Sequence, residues 1–146
     1  MFVSILVAHD GSDHAKNAPK VAAGRTKTYG AQLHLTHTSQ VGSQTIMIGS
    51  SAAALDTLPT KEHIQKAGHI IVEQALAAAR AEGVDTQEVH LGAVEPARFV
   101  LAAAAKCNAD LIVQGRRGPG SLRALALGSV SQSVAHGAKC AFLTVL

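Results

Sequence analysis

A glycine-rich segment near the C terminus has the residue types and the spacing of a phosphate-binding loop. It runs from Gly115 to Ser129, beginning where a buried strand is expected to end and finishing where a helix is expected to begin. Glycines let the backbone approach a ligand closely, and a helix start offers unpaired N–H groups with a partial positive charge. Arg116, Arg117 and Arg123 add formal positive charge. The segment therefore predicts a site for an anionic group such as a phosphate.

The better-known phosphate motifs do not match this chain. The segment lacks the G-x-x-x-x-G-K-[ST] spacing and the lysine of a Walker loop. The G-x-G-x-x-G dinucleotide fingerprint is also missing after the first strand, where the chain has Asp10, Gly11 and Ser12. The glycines could instead form turns only, with Ser129 and Gln132 making a capping box. The residues alone leave both interpretations open.

Side chains that could catalyse a reaction lack clear partners in the sequence. His9 and Asp10 are adjacent, but neighbours on a strand point to opposite faces of a sheet. Cys107, at the end of a predicted helix, lacks the positive surroundings that activate a thiol. Three serines have no evident base: Ser12, Ser121 and Ser129. We expect no catalytic residues, and at most a weak enzymatic activity.

The eight histidines raise the possibility of a metal site. His34 and His37 are predicted to lie on opposite faces of one strand. His63 and His69 are six residues apart, outside the i, i+4 spacing with which one helix face shares a metal. We therefore expect core or solvated histidines and no dedicated histidine metal site.

The elements that must position these residues alternate regularly between strand and helix. A buried apolar run opens the chain, and later strands and helices are separated by Gly, Asn and Pro signals. The predicted strands span 2–8, 32–38, 84–91, 109–114 and 141–146. The predicted helices span 12–29, 60–83, 96–108 and 129–136. This order predicts a five-stranded parallel sheet covered by helices on both faces, with the ligand beyond the carboxyl ends of the strands.

Two places interrupt this pattern. Pro19 lies inside the first predicted helix, for which Ser12 is a plausible N-cap, so either the helix is kinked or its regular part begins near Asn17. The segment from Ser39 to Pro59 has no clear period, and we expect it to be functional, mobile or locally helical.

Composition limits the class of protein. The chain has 146 residues and 15.0 kDa, with 47% apolar and 16% charged residues, which fits a single domain with a sizeable core. Its formal charge is +3, and only 3% of residues are aromatic, so we expect no nucleic-acid partner. Cys107 and Cys140 match no disulfide framework or zinc motif. The apolar N-terminal run is too short for a signal peptide or a membrane span, so we expect a cytoplasmic protein.

The glycine pattern and the first strand together resemble a known family. Four residues meet the pattern G-x2-G-x9-G-[ST]: Gly115, Gly118, Gly128 and Ser129. This pattern resembles the ATP-binding motif of the universal stress protein family, and residues 5–12 resemble that family's first strand and its aspartate turn. Residues 109–115 and 127–130 resemble its fourth strand and the start of its last helix. The resemblance covers essentially the whole chain and implies a Rossmann-like α/β/α sandwich with strand order 3-2-1-4-5.

The resemblance also implies a binding site. The adenine and ribose are expected near four residues: Ala8, His9, Asp10 and Thr38. Gln114 and Gly115 are expected on the ribose side. The phosphates are expected to be surrounded by Arg117, Gly118, Gly128, Ser129, Val130 and Ser131. A Mg²⁺ or Mn²⁺ ion bridging the phosphates would draw on Asp10, Ser129 or water.

The chain departs from the commonest family pattern at two places. His9 stands where an apolar or small residue is usual, and residues 139–141 lack the proline that normally opens the last strand. Neither departure involves the phosphate glycines.

Three functions follow from these expectations. The resemblance favours an ATP-binding regulatory or stress-response module, homodimeric through its C-terminal strand and acting on an unknown protein partner. The alternatives are a slow nucleotide hydrolase or phosphotransferase that uses the same pocket, and an interaction protein whose pocket is vestigial.

Overall fold

The computed structural model describes residues 1–39, 60–116 and 127–146 as an alternation of strands and helices. The strands are β1 (Ser4–Ala8), β2 (Gln32–Thr38), β3 (Thr86–Gly92), β4 (Leu111–Gly115) and β5 (Ala141–Val145). The helices are α1 (Ala18–Tyr29), α2 (Lys61–Ala81), α3 (Pro96–Lys106) and α4 (Ser129–Gly137), with a 3-10 turn at Asp13–Ala15. Most of the segment 39–59 lies outside the described residues.

The five strands form one parallel sheet in the order β3-β2-β1-β4-β5, which confirms the predicted fold class. β1 lies at the centre, and each of its five residues is buried. The strand order reverses between β1 and β4, so a crevice is expected beyond their carboxyl ends, as in other doubly wound sheets.

Alternation along the strands separates two apolar cores, one on each face of the sheet. Ile5 and Val7 pack in the core that contains α1 and α2 residues. Leu6 and Ala8 point the other way and pack with residues of α3 and α4. A central strand buried on both faces must be almost continuously apolar, and this explains its composition.

The observed ends of the helices confirm some of the predictions made from the sequence and correct others. α1 begins at Ala18, with Asn17 before it and Pro19 in its first turn, so the later start is right and Ser12 precedes only the 3-10 turn. Gly30 and Asn108 adopt positive φ of 65° and 49° after α1 and α3, as expected for left-handed helix stops.

β1 begins at Ser4, two residues later than predicted, and a side chain takes the backbone donors at its start. The Val3 N–H donates to Asp110 Oδ2 at 2.7 Å, and the Ser4 N–H lies 3.3 Å from Asp110 Oδ1. β3 also begins later than predicted, at Thr86, and it lies at a sheet edge as expected.

Across residues 1–39, 60–116 and 127–146, no helix combines the length and the apolar character needed to cross a membrane.

Candidate functional site

A cavity of about 510 Å³ lies at the carboxyl ends of β1, β2 and β4. Residues of α2 contribute to its lining, as do residues at the starts of α3 and α4. Seven of the residues predicted from the sequence line it: Ala8, His9, Asp10, Thr38, Gln114, Gly115 and Val130. The fold therefore brings together positions as far apart in sequence as Ala8 and Val130.

The other predicted residues lie beside this cavity or outside the described chain. Gly128, Ser129 and Ser131 are at the start of α4, next to the lining residue Val130. Arg117 and Gly118 fall in 117–126, outside the described residues.

A row of three residues crosses the sheet at the cavity. Ala8 of β1 pairs with Thr36 of β2 on one side and with Gln114 of β4 on the other, so the three side chains share one face. Thr36 Oγ1 and Gln114 Oε1 are buried and have no hydrogen-bond partner among the described residues. The side chain of Ala8 between them is only a methyl group. A buried polar atom without a partner is destabilising, and a polar ligand group that reaches either oxygen from the cavity would satisfy it.

His9 joins β1 to the 3-10 turn. Its Nδ1 lies 3.1 Å from the Ala15 carbonyl oxygen, and since a carbonyl only accepts, Nδ1 carries the hydrogen and donates. Burial lowers the pKa of His9 below its ordinary value, although the hydrogen bond to Ala15 and the nearby Asp10 carboxylate act in the opposite direction. The ring is thus a neutral, buried tie between two backbone segments.

His37 continues this chain of hydrogen bonds into the cavity. Its Nδ1 donates to the His9 carbonyl oxygen at 2.8 Å, so in the neutral ring Nε2 is an acceptor. The Ser39 hydroxyl lies 3.5 Å from that Nε2, at the limit of a hydrogen bond. Gly68 of α2 packs against both groups, since a Cβ there would come within 2.7 Å of Ser39 Oγ. His37 therefore offers an acceptor at the wall of the cavity, beside α2.

Asp10 is held by a tight loop at the end of β1. Its Oδ1 accepts the Ser12 N–H at 2.9 Å across Gly11, which has a positive φ of 81°. A Cβ on Gly11 would meet Ile71 of α2 at 2.8 Å, so this loop packs closely on that helix. The carboxylate is half-buried and lines the cavity, where it can accept from the hydroxyls of a sugar.

The start of α4 adjoins the end of β4. The Gly128 N–H donates to the Arg116 carbonyl at 3.0 Å, and the buried Ser131 hydroxyl donates to the Gly115 carbonyl at 2.9 Å. Gly128 is the N-cap, so the capping box proposed for Ser129 and Gln132 is not formed. Ser131 Oγ acts on the protein backbone, whereas the first N–H groups of the helix have no intrahelical acceptor and suit an anion.

Several lining residues were not predicted from the sequence as site residues. Thr36 and His37 lie on β2, and Pro96 and Val100 lie on α3. The first half of the α2 apolar face also lines the cavity: Ile64, Ala67, Gly68 and Ile71. The sequence shows the periodicity of this face, but a helix face that lines a cavity and one that packs on a core have the same apolar pattern. Only the second half of that face, with Ala75 and Ala79, enters the core.

Comparisons with known proteins agree with this architecture. The model of the universal stress protein family matches residues 1–145. A universal stress protein of Thermus aquaticus, located 3′ of a QAH/OAS sulfhydrylase gene, is 37% identical over 145 residues, covering 99% of this chain and 99% of that protein.

Two solved structures share the fold. A universal stress protein in complex with cAMP has a TM-score of 0.69 at 21% identity, covering 99% of this chain and 96% of its own. The universal stress protein of Archaeoglobus fulgidus in complex with dAMP has a TM-score of 0.69 at 20% identity, covering 99% and 98%. Since the family model spans nearly every residue, this chain belongs to the universal stress protein family.

Proposed function

We propose that this chain binds an adenine nucleotide, with ATP as the first candidate, in the cavity at the carboxyl ends of its strands. The observation that carries the proposal is the pair of buried oxygens, Thr36 Oγ1 and Gln114 Oε1, that line the cavity without a partner among the described residues. The cavity volume of about 510 Å³ lies within the range of about 300–1,000 Å³ typical of small-molecule sites. The cAMP and dAMP bound by two relatives of the same fold support an adenine base.

The surroundings divide this site into two ends. Asp10 and His37 supply acceptors at the end that we assign to the nucleoside, since adenine has an amino donor and ribose has hydroxyl donors. Ile64 and Ile71 of α2 offer apolar surface for the base. The start of α4 supplies N–H donors at the end that we assign to the phosphates, where Arg117 and Gly118 are expected from the family pattern.

A Mg²⁺ or Mn²⁺ ion on the phosphates fits the chemistry of the oxygen donors near them. The Ser129 hydroxyl at the phosphate end is a hard oxygen ligand of the kind that these ions prefer, and water would supply the other ligands. The ion would neutralise part of the phosphate charge when bound.

The C-terminal strand supports a dimer. β5 pairs with β4 on one side only, and among the described residues no strand pairs with its other edge. Four of its five residues are half-buried, and Leu146 after it is 69% exposed. An unpaired edge is a template for another strand, and a second copy of β5 would cover it across a two-fold axis. We propose that this dimer acts in the cytoplasm as a nucleotide-dependent regulatory module of a stress response.

Calorimetry with ATP, cAMP, dAMP and GTP tests the nucleotide proposal. Thr36→Val keeps the shape of the side chain and removes the hydroxyl, so affinity for adenine nucleotides should fall about fivefold for the loss of about 1 kcal/mol. Thr26→Val is the matched control, because Thr26 Oγ1 is also buried and unpartnered among the described residues but lies on α1 away from the cavity. That variant should bind like the parent.

The same protein preparations separate the alternatives. Phosphate release above background by the parent, reduced in Thr36→Val at low ATP concentration and lost in Gly118→Val, would favour a nucleotide hydrolase. If the folded parent binds no adenine nucleotide, the proposal is wrong and an interaction protein with a vestigial pocket is favoured.

A further inference from the structure

Three potential metal ligands meet on the α3 face of the sheet, apart from the nucleotide cavity. His34 lies on β2, His90 lies on the edge strand β3, and Cys107 follows the last residue of α3. One ligand atom from each residue lies within 4.8 Å of the other two. None of the three lines the nucleotide cavity. Residues 34, 90 and 107 are far apart in sequence, so only the tertiary fold brings them together.

Three of the four imidazole nitrogens in this cluster are buried and have no hydrogen-bond partner among the described residues. His34 and His90 are each 6% exposed. Both ring nitrogens of His34 and the Nε2 of His90 have no hydrogen-bond partner among the described residues. The two rings stack with centroids 6.0 Å apart and planes inclined by 28°, but stacking does not satisfy a nitrogen in the ring plane. Buried imidazoles with unsatisfied nitrogens are destabilising, so the cluster needs a ligand that bonds to those nitrogens.

The donor set selects the class of ligand. Two imidazoles and one thiolate are the donors preferred by Zn²⁺, whereas Mg²⁺ and Ca²⁺ prefer oxygen. Around one tetrahedral zinc ion, such ligand atoms stand about 3.3–3.6 Å apart, so closure from 4.8 Å requires movements of about 1 Å. We propose that His34, His90 and Cys107 bind one Zn²⁺ ion.

The neighbours of His90 resemble the outer shell of a histidine ligand. Its Nδ1 lies 3.7 Å from Glu88 Oε1, and the same oxygen accepts from Lys106 Nζ at 2.7 Å. At this distance the contact is electrostatic and longer than a hydrogen bond; a shift of about 0.5 Å would turn it into the carboxylate–imidazole hydrogen bond that orients a ligating histidine and leaves Nε2 for the metal. Glu88 is therefore a positioning residue for His90.

An adjacent cavity provides a route for the ion. It has a volume of about 310 Å³ and lies between β3 and α3, with Glu88, His90 and Lys106 in its lining. Water in this cavity can supply the fourth ligand. Binding converts the Cys107 thiol into a zinc thiolate and releases one proton to solvent, so charge and atoms balance. The bound ion would fasten the edge strand β3 to β2 and to the end of α3.

Titration of the chelator-treated protein with Co²⁺ and Zn²⁺, under reducing conditions, tests the site. We expect one Co²⁺ per chain with the thiolate-to-cobalt charge-transfer absorption, displacement of that signal by Zn²⁺, and a higher Tm with Zn²⁺ present. Cys107→Ser should abolish the absorption. His90→Gln should abolish the tight site and the increase in Tm. Glu88→Gln should weaken binding about 10- to 100-fold.

Two control variants separate this cluster from other ligands. Cys140→Ser removes the other cysteine, and His136→Ala removes an exposed histidine of α4. Both should keep the stoichiometry, the absorption and the increase in Tm. The proposal is overturned if the parent shows no thiolate absorption, or if Cys107→Ser and His90→Gln bind Zn²⁺ as the parent does. Because nucleotide binding is measured separately, failure here leaves the proposed nucleotide site unaffected.

Discussion

Gly115, the last residue of β4, lies directly against the backbone of Ala15 in the 3-10 turn. A Cβ on Gly115 would come within 2.8 Å of the Ala15 Cα and 2.9 Å of its nitrogen. Backbone atoms cannot move aside as the end of a flexible side chain can. The absence of a side chain at Gly115 therefore lets the 3-10 turn pack against the end of β4. His9 and Asp10 lie in the chain between β1 and this turn.

Gly115→Ala should displace this turn and destabilise the protein by about 1–3 kcal/mol, the usual cost of overpacking. Nucleotide affinity should fall with it, because Asp10 belongs to the displaced loop. Urea denaturation and calorimetry measure the two effects. Gly24→Ala is the control: no atom lies within 4 Å of its Cβ position in α1, so helix propensity should raise stability by about 0.5–1 kcal/mol. Equal stability of Gly115→Ala and the parent would show that this close approach does not matter.

Ser131→Ala should cost about 1 kcal/mol of unfolding free energy, since the buried hydrogen bond to the Gly115 carbonyl is lost. Ser133, two residues further along α4, is exposed, so Ser133→Ala should leave stability unchanged or slightly raise it. Denaturation curves of the two variants give the comparison. If the Ser131 variant is as stable as the Ser133 variant, Ser131 does not stabilise the junction of β4 and α4.

The two ends of the proposed nucleotide site should respond differently to substitution. Asp10→Asn should weaken ATP and adenosine alike, because Asp10 is assigned to the nucleoside end. Gly118→Val, from the glycine pattern, should abolish ATP binding and spare adenosine, because a branched side chain blocks the approach of backbone to phosphate. Calorimetry with both ligands decides the matter. A folded Gly118→Val protein that binds ATP like the parent contradicts the phosphate assignment.

The stability of the protein should decrease as the pH falls below about 6.5, the ordinary pKa of histidine. Burial lowers the pKa of His9 in the folded state, so the unfolded chain binds the proton more readily and protonation favours unfolding. Burial also lowers the pKa of His34, and the nearby His90 lowers it further. His9→Gln should reduce the dependence on pH without removing it. Denaturation curves between about pH 8 and about pH 5 measure the slopes, and equal slopes would contradict this account of His9.

The proposed dimer interface can be tested at the backbone of β5. Ala141 donates to Asp110 and Val145 accepts from Arg116, so by alternation the N–H groups of Phe142 and Thr144 face the open edge. Thr144→Pro should therefore dissociate the dimer and leave the sheet intact, whereas Leu143→Pro should also break pairing with β4. Analytical ultracentrifugation with circular dichroism reports both results. A parent protein that sediments as a monomer at micromolar concentration contradicts the dimer.

The sequence by itself determined the order of the elements and, to within two residues, most of their ends. The apolar run of β1, the left-handed stops at Gly30 and Asn108, and Pro96 at the start of α3 are local signals. Each of them depends only on the φ angles and the apolar side chains of residues that are close together in the chain. Because parallel strands need crossovers of one hand, that order already predicted the sheet. The resemblance to the family then predicted that Asp10 and Gln114 lie at one site, at the carboxyl ends of the strands.

Only the tertiary structure decided which distant side chains meet. The sequence suggested comparing His34 with His37, two residues further along the same strand. In the structure His34 lies beside His90 and Cys107, which are brought near it by the pairing of β2 with β3 and by the packing of α3. The apolar face of α2 lines the cavity in the first half of the helix and packs in the core in the second half, although the apolar spacing is the same in both halves. Ser131 turned out to bond to Gly115. Such contacts depend on strand register and helix position, which a single sequence does not encode in any local pattern.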